Sequence, residues 1–320
     1  MPTKKSSEHN CKKKLVSIVT PCFNEIENIE RMTKTIAEIF GAYDFDYEHI
    51  WIDNASTDGS QEKLRELCTH DPRIKVILNR RNFGHIRSPY HGFLQASGDA
   101  VVTLSADFQD PPQYIRDFIE RWEAGAECVV GIKAKVEENF LLAMLRSAYY
   151  RIQSAIAEGT QLRSYTGFGL FDRKVVDQIK RLDEPYPYFR GIVGEIGIQY
   201  QKVPYEKPRR ERGSSKNNIF TLFDLALLGI VSHSVVPLRL ATFAGTVISI
   251  ISFMTGLTYL FRKLLDWHSF TLGTAPLMSG LFFIGGLILL CIGIIGEYII
   301  LLCRRSKNYP HVFEKERINF

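Results

Sequence analysis

Two uncharged apolar runs, Leu240 to Phe261 and Ser269 to Gly296, close this chain of 320 residues. At a helical rise of ~1.5 Å per residue the first would be about 33 Å long, enough to cross a hydrocarbon core of ~30 Å. The competing reading is a buried core helix, but runs of this length without a charge are uncommon in soluble folds. The pattern predicts a membrane hairpin over residues 237–303, with Pro276 starting its second helix. Ahead of it stand about 235 residues that read as a soluble enzyme body. Residues 219–236 read as a juxtamembrane helix and 304–320 as a cytoplasmic tail. An enzyme on such an anchor implies a substrate held by a bilayer.

Arg209, Arg210, Arg212 and Lys216 precede the hairpin and Arg304, Arg305 and Lys307 follow it, against Arg262 and Lys263 between the runs. That excess places both chain ends and the enzyme body in the cytoplasm. Glu297 reads as an interfacial residue or an intramembrane functional acid. The net charge of +5 suits an anionic membrane surface or phosphate-bearing substrates. No basic low-complexity tract points to nucleic acid. The six cysteines make no Cys-x-x-Cys pair and no zinc spacing, as expected of a reducing cytosol. Residues 1–13 read as a mobile basic tail, because they contain no apolar core.

From Leu15 the pattern alternates. LVSIVTP, HIWID, KVILN and AVVTLSA read as strands, with helices over Glu27 to Phe40 and Ser60 to Cys68. Strands alternating with helices predict an α/β fold, a parallel sheet covered on both faces. Ligands of such sheets sit at the carboxyl ends of the strands. Those ends read Pro21-Cys22-Phe23-Asn24-Glu25, Asp53-Asn54-Ala55-Ser56-Thr57-Asp58-Gly59-Ser60 and Ser105-Ala106-Asp107-Phe108-Gln109-Asp110. Singly, each is equally a turn or a helix cap. Together they suggest a shared nucleotide and metal site, because Mg²⁺ takes oxygen ligands and usually shares them with substrate phosphates.

The segments PCFNEIENI, WIDNASTDGS, NRRNFGHIRSPYHG and SADFQDPP, in this order and spacing, resemble family-two glycosyltransferases with the A-type nucleotide-sugar fold. GFGLFDRKVVDQI, PYPYFRGIVGEIG, RRERGSSKNN and SHSVVPLRLA, with GIIGEYI in the hairpin, resemble the subgroup that glycosylates polyprenyl phosphates. The resemblance covers residues 14 to 305 and implies a multi-pass protein of the bacterial inner membrane. Its expected partners are a nucleotide-sugar donor, most simply a UDP-sugar, and an undecaprenyl-type phosphate, with no nucleic acid.

The resemblance assigns Pro21, Phe23, Glu25 and Asp53 to the nucleoside pocket, with Asp53 accepting from the base and Asn82 and Gly84 nearby. Ala106 and Asp107 would lie against the donor. Where the family's metal motif reads Asp-x-Asp, this chain has Ser105-Ala106-Asp107. Mg²⁺ or Mn²⁺ would therefore rest on Asp107, Gln109, waters and the donor diphosphate. Lys133, Arg146, Arg209, Arg212 and Lys216 are the expected acceptor-phosphate cations. Of these, Arg212 and Lys216 would also serve the chemical step, beside Asp107. An Asp of many relatives is missing from Thr166-Gly167-Phe168-Gly169, leaving Asp110 as the candidate base or no base at all.

Residues 138–157 carry an apolar stripe with Arg146 and Arg151, which reads as a helix in the membrane interface or as a core face. Gly285, Gly286, Gly293 and Gly296 permit close helix packing and thus a homo-oligomer. Two other functions stay open at this level. A processive polysaccharide synthase would need a Gln-x-x-Arg-Trp motif, which Arg190 to Glu195 does not supply. A non-catalytic nucleotide-sugar-binding scaffold for a flippase is the other.

Overall fold

The computed structural model describes residues 13–133, 165–182, 184, 192–194, 196–206, 236–265, 274–306 and 309–320. The chain divides into an α/β body, which includes residues 308–320, and a second unit that contains the apolar helices.

In the body, β1 (Leu15–Cys22), α1 (Ile26–Phe40), β2 (Asp46–Asp53), α2 (Ser60–His70), β3 (Ile74–Asn79), α3 (Gly84–Gln95) and β4 (Ala100–Thr103) alternate. A 3₁₀ turn at Pro112–Tyr114 leads into α4 (Ile115–Glu123), followed by β5 (Cys128–Lys133), β6 (Tyr165–Asp172), α5 (Arg173–Arg181) and β7 (Gln201–Tyr205). The last strand is β8 (Glu314–Ile318). All eight strands form one sheet in the order β7-β5-β6-β4-β1-β2-β3-β8. β1 to β4 are mutually parallel, as the alternation predicts. The rest corrects the expectation of a parallel sheet, because β6 runs antiparallel to β4 and β5, and β8 antiparallel to β3.

Both faces are covered. Val16, Ile18, Trp51, Val76 and Val102 pack against Ile29, Met32 and Ile36 of α1, Leu64 of α2, and Phe118 and Ile119 of α4. Val19, Ile50, Ile52, Ile77 and Val101 pack against Tyr90 and Phe93 of α3 and Val175, Val176 and Ile179 of α5. Alternation along the strands sends neighbours to opposite layers, and near-complete burial of both explains why the strands read as continuous apolar runs. In α1 the buried Ile29, Met32, Ile36 and Ile39 recur at helical spacing and form the stripe that faces the sheet.

Sequence reading places Glu314 to Ile318 in a tail, and the structure instead makes them the edge strand β8. Its composition, EKERI, hides it: exposure alternates along the strand, and its two glutamates pair with residues of α2 and α3, Glu316 with Arg65 and Glu314 with His91. Arg65 makes a forked pair with Glu316, and the Asn319 amide donates to the carbonyls of Cys68 and Ile74, each at 2.9 Å. A charged strand also protects the sheet edge against further pairing.

In the second unit, α6 (Val236–Leu265) and α7 (Thr274–Ser306) are about 45 and 50 Å long at ~1.5 Å per residue. Pro276 falls in the first turn of α7, where a missing backbone N–H is harmless. Among the described residues one helix stretch, Phe283–Ile300, is long and apolar enough to cross a membrane, and none of it is buried. The core-helix reading fails there. Among the described residues α6 contributes the apolar stretch Leu238–Ile248, within which Phe243 is exposed, and Ile250, Ile251 and Met254 are exposed after it.

Candidate active site

The strand directions decide what meets. β1 to β5 and β7 end at one edge of the sheet, and β6 begins there. Strand order therefore sets out, along that edge, Tyr205, Lys133, Gly167, the Ser105–Asp110 loop, the Phe23–Glu25 loop, the Asp53–Ser60 loop and the Asn79–Gly84 segment. The chain moves outward from β1 through β2 to β3 and then returns to β1's other side with β4. The β1/β4 crevice is the topological switch point, where open α/β sheets hold ligands.

Three backbone outliers mark the same loops. Asn24, Ala55 and Phe108 have φ of 57°, 63° and 56°, and each lies just beyond the end of β1, β2 or β4. For residues bearing a Cβ the left-handed region costs about 1–2 kcal/mol each, and such strain gathers at functional sites. Phe108 is held there with the Arg31 guanidinium 4.3 Å from its ring centroid.

Hydrogen bonds lace the first two loops together. Asn24 N–H donates to Ser56 Oγ (2.8 Å), Thr57 N–H to Asn24 Oδ1 (2.8 Å), Glu25 N–H to Ser60 Oγ (3.3 Å) and Ile26 N–H to Asp58 Oδ2 (3.1 Å). Burial opposes charge on Asp58, but the Ser60 hydroxyl and the amides of Ile26 and Ser60 hold its carboxyl below the ordinary value. Beneath this lacing, Asp53 is fully enclosed. Its Oδ2 accepts from Ser56 N–H at 3.0 Å and from the Gln61 amide at 2.8 Å. Among the described residues its Oδ1 has no hydrogen-bond partner. A buried acceptor left unmatched costs about 1–3 kcal/mol, so this atom is suited to a ligand donor. Neighbouring Cys22 is no nucleophile, because burial and the charge of Asp53 push its thiol up.

Asn54 organises the third segment. Its amide donates to Asn82 Oδ1 (2.8 Å) and to the Gly84 carbonyl (3.2 Å), while its Oδ1 accepts from Phe83 N–H (2.9 Å) and from the Asn79 amide (3.2 Å). Gly84 N–H returns to Asn82 Oδ1 at 2.8 Å. The turn needs glycine at 84, where φ is +84°. Sequence reading gives Asn54 no role of its own; its signal is the asparagine directly after a strand-end aspartate.

In the Ser105–Asp110 loop, Asp107 Oδ1 accepts from Ser105 Oγ (2.8 Å) and Gln109 N–H (3.1 Å). Asp110 is buried, with Oδ2 accepting from Ser105 N–H (3.2 Å) and Oδ1 from the Tyr205 hydroxyl (2.9 Å). These bonds make Asp110 a strut between β7 and the Ser105–Asp110 loop. Ala106 is buried and Pro21 partly so. Lys133 ends β5 half-buried, in register with Tyr205. Arg146, Arg209, Arg212 and Lys216 lie outside the described residues, as do the stripe helix at 138–157 and residues 219–235.

Among the described residues no three His, Cys, Asp or Glu side chains gather as a metal cage. Asp107 fits a different arrangement, one carboxylate supporting an ion that takes its remaining oxygens from substrate phosphates and water.

A family model described as Glycosyl transferase family 2 matches residues 17–180, and one described as GtrB C-terminal hairpin matches residues 236–302. The chain is 35% identical over 296 residues to the uncharacterized glycosyltransferase YkcC of Bacillus subtilis, covering 92% of this chain and 91% of that protein. It is 32% identical over 304 residues to the bactoprenol glucosyl transferase of Shigella phage SfV, covering 94% and 99%. Among solved structures it is similar to glucosyl-3-phosphoglycerate synthase from Mycobacterium tuberculosis in complex with Mn²⁺, UDP-glucose and phosphoglyceric acid. That match has 18% identity and a TM-score of 0.46 over 68% of this chain and 78% of that one. With the first family model spanning half the chain and the relatives aligned over nearly all of it, the chain belongs to glycosyltransferase family 2, an A-type fold followed by a GtrB-type hairpin.

Proposed function

We propose that this glycosyltransferase moves glucose from UDP-glucose to a polyprenyl phosphate of undecaprenyl type, at the cytoplasmic face of a bacterial inner membrane. The observation that carries the reading is the order of strand ends along one sheet edge, in a chain whose 32%-identical relative is named a bactoprenol glucosyl transferase. Asp53 and the Asn82–Gly84 turn would bind the nucleoside, with Asp53 Oδ1 accepting the base N–H. The Ser105–Asp110 loop, at the switch point, would face the diphosphate. Lys133, farther along the edge, stands on the acceptor side, where Arg146, Arg209, Arg212 and Lys216 would add charge.

The reaction is a single displacement with inversion. A phosphate oxygen of the lipid attacks the anomeric carbon, its bond to the sugar forms as the bond to the donor's diphosphate breaks, and UDP leaves. A phosphate monoester, with its second pKa near about 6, is already largely dianionic at neutral pH and needs no general base. That suits Asp110 as a strut and a chain with Gly167 where many relatives place an Asp. The protein's tasks are to align the phosphate with the sugar and to neutralise charge. A divalent ion on Asp107, with Gln109 beside it, would supply Lewis-acid stabilisation of the leaving diphosphate.

The β3–β8 pairing supports the topology. α6 and α7 lie between the body and β8 in the chain, yet β8 completes the body's sheet. If α7 alone crossed the bilayer, β8 would emerge on the wrong side. In this reading an even number of crossings keeps β8 beside β3, so α6 would cross with α7 and residues 314–318 would stay with the catalytic body.

The test is incubation of detergent-solubilised protein with undecaprenyl phosphate, Mg²⁺ or Mn²⁺ and a panel of UDP- and GDP-sugars, followed by mass spectrometry of the lipid. One hexose per lipid phosphate, with UDP-glucose preferred, is the expected product. Unmodified lipid across the panel, with nucleotide still bound, would refute transfer and favour the scaffold.

A further inference from the structure

The outer side of the Asn79–Gly84 segment is built from the far end of the chain. Arg80 N–H donates to the Phe313 carbonyl (2.9 Å), Arg80 Nε to the Glu314 carbonyl (3.1 Å) and Arg87 Nη2 to the Pro310 carbonyl (2.8 Å). His91 Nε2 lies 2.6 Å from Glu314 Oε1, and Arg317 binds the same carboxylate. Phe313 sits 6.2 Å from Phe83, and His311 meets Tyr90 edge-on at 5.0 Å. In the β3–β8 ladder Glu314 is the partner of Asn79, at a bulge that ends the regular register.

Asn79 carries that pairing inward. Its amide donates to Asn54 Oδ1, and Asn54 in turn holds Asn82, Phe83 and Gly84. The turn is thus tied on the inside by Asn54 and on the outside by residues 310–314. By itself it has little to order it: Arg80 and Arg81 are adjacent like charges, and Phe83 is its one buried apolar side chain. The backbone entropy of fixing such a turn must be offset by those ties.

We propose that residues 310–314 are a positioning element of the nucleotide-binding wall, acting through Arg80, Arg87 and His91. They come after α6 and α7 in the chain, so the wall reaches its binding form only once the whole hairpin has been made. Donor binding is thereby tied to possession of the membrane anchor, and a chain that stops short of the anchor has no competent donor wall to hydrolyse nucleotide-sugar unproductively. This inference rests on the assignment of Asn82 and Gly84 to the nucleoside side.

The test uses full-length protein carrying Phe313→Ala with Glu314→Ala, with UDP as the probe and UDP-glucose as donor. UDP affinity should fall about tenfold, the loss of roughly one well-placed hydrogen bond. The KM for polyprenyl phosphate should hold, and amide exchange at Arg80, Phe83 and Gly84 should quicken while Val16 to Val19 stay protected. Glu314→Gln alone, which keeps an acceptor for His91, should bind UDP nearly as the parent does. In a second protein, a protease site between Lys307 and Asn308 lets residues 308–320 be cut and washed away. UDP affinity should drop on cutting and return when the peptide is added back. Unchanged UDP affinity after either treatment would overturn the proposal, as would equal loss of donor and acceptor affinity. Should the parent protein bind no nucleotide at all, the donor-site reading itself fails, an outcome distinct from a parent that binds UDP and a variant that binds it equally well.

Discussion

Asp53→Asn should weaken donor binding without weakening the fold. Asp53 is fully buried, and its Oδ2 already takes two donors, Ser56 N–H and the Gln61 amide. An asparagine keeps both by placing its carbonyl there, which puts its NH₂ where Oδ1 stood. In the parent, Oδ1 is the acceptor with no partner among the described residues and would receive the base N–H. In the variant a donor faces a donor. Loss of a hydrogen bond to a charged group is worth about 1.5–3 kcal/mol, or roughly 10- to 150-fold in donor affinity. The unliganded protein loses nothing comparable, because the position was already unmatched and stays so, which would leave its melting temperature about equal. Calorimetric titration with UDP and thermal melts without ligand read the two quantities separately. A variant that melts markedly lower yet binds UDP normally would refute the reasoning, since Asp53 would then serve the fold alone.

Asp107→Asn keeps an oxygen for Ser105 Oγ and Gln109 N–H, so the loop should hold its shape while transfer falls by about 10²-fold or more. Near-normal turnover of lipid phosphate would remove Asp107 from the diphosphate site. Tyr205→Phe withdraws a hydrogen bond from buried Asp110 and should cost about 1.5–3 kcal/mol in denaturant unfolding. An unchanged unfolding free energy would remove Asp110 as a strut. His49 is enclosed beside Trp51, with Thr20 Oγ1 at 3.0 Å, and burial pushes its imidazole down to about 3. The unfolded chain therefore takes up a proton near pH 6.5 that the native state refuses, and stability falls by about 1.4 kcal/mol per pH unit from there towards pH 3. Stability at pH 5 should lie about 2 kcal/mol below that at pH 7, and His49→Gln should shed that part of the slope; an unaltered slope would clear His49.

What the sequence reveals, and what it hides, divides along the range of the interactions. β1 to β4 are legible because each is a short apolar run next to a helix with its own stripe, a pattern contained within about 30 residues. The site loops are legible for the same reason: a strand end is a local event, and polar residues that follow an apolar run declare themselves. β8 lies at the other extreme. Glu314 and Glu316 look like solvated tail charges until Arg65, His91 and Arg317 are placed around them, and two of those three partners are more than 220 residues away. Asn54 stands between these cases. It follows β2 directly and would pass for an ordinary turn residue, yet its side-chain hydrogen bonds go to residues 79 to 84, which the β2–β3 pairing brings alongside. A glycosyltransferase sheet can be read from its strands, but the Asn79–Gly84 segment, proposed as the nucleotide wall, is held by residues whose partners arrive from the next strand and from beyond the hairpin. Substitutions there should act on binding at a distance from any motif, which is why Asn54 and Glu314 deserve to be varied alongside Asp53 and Asp107.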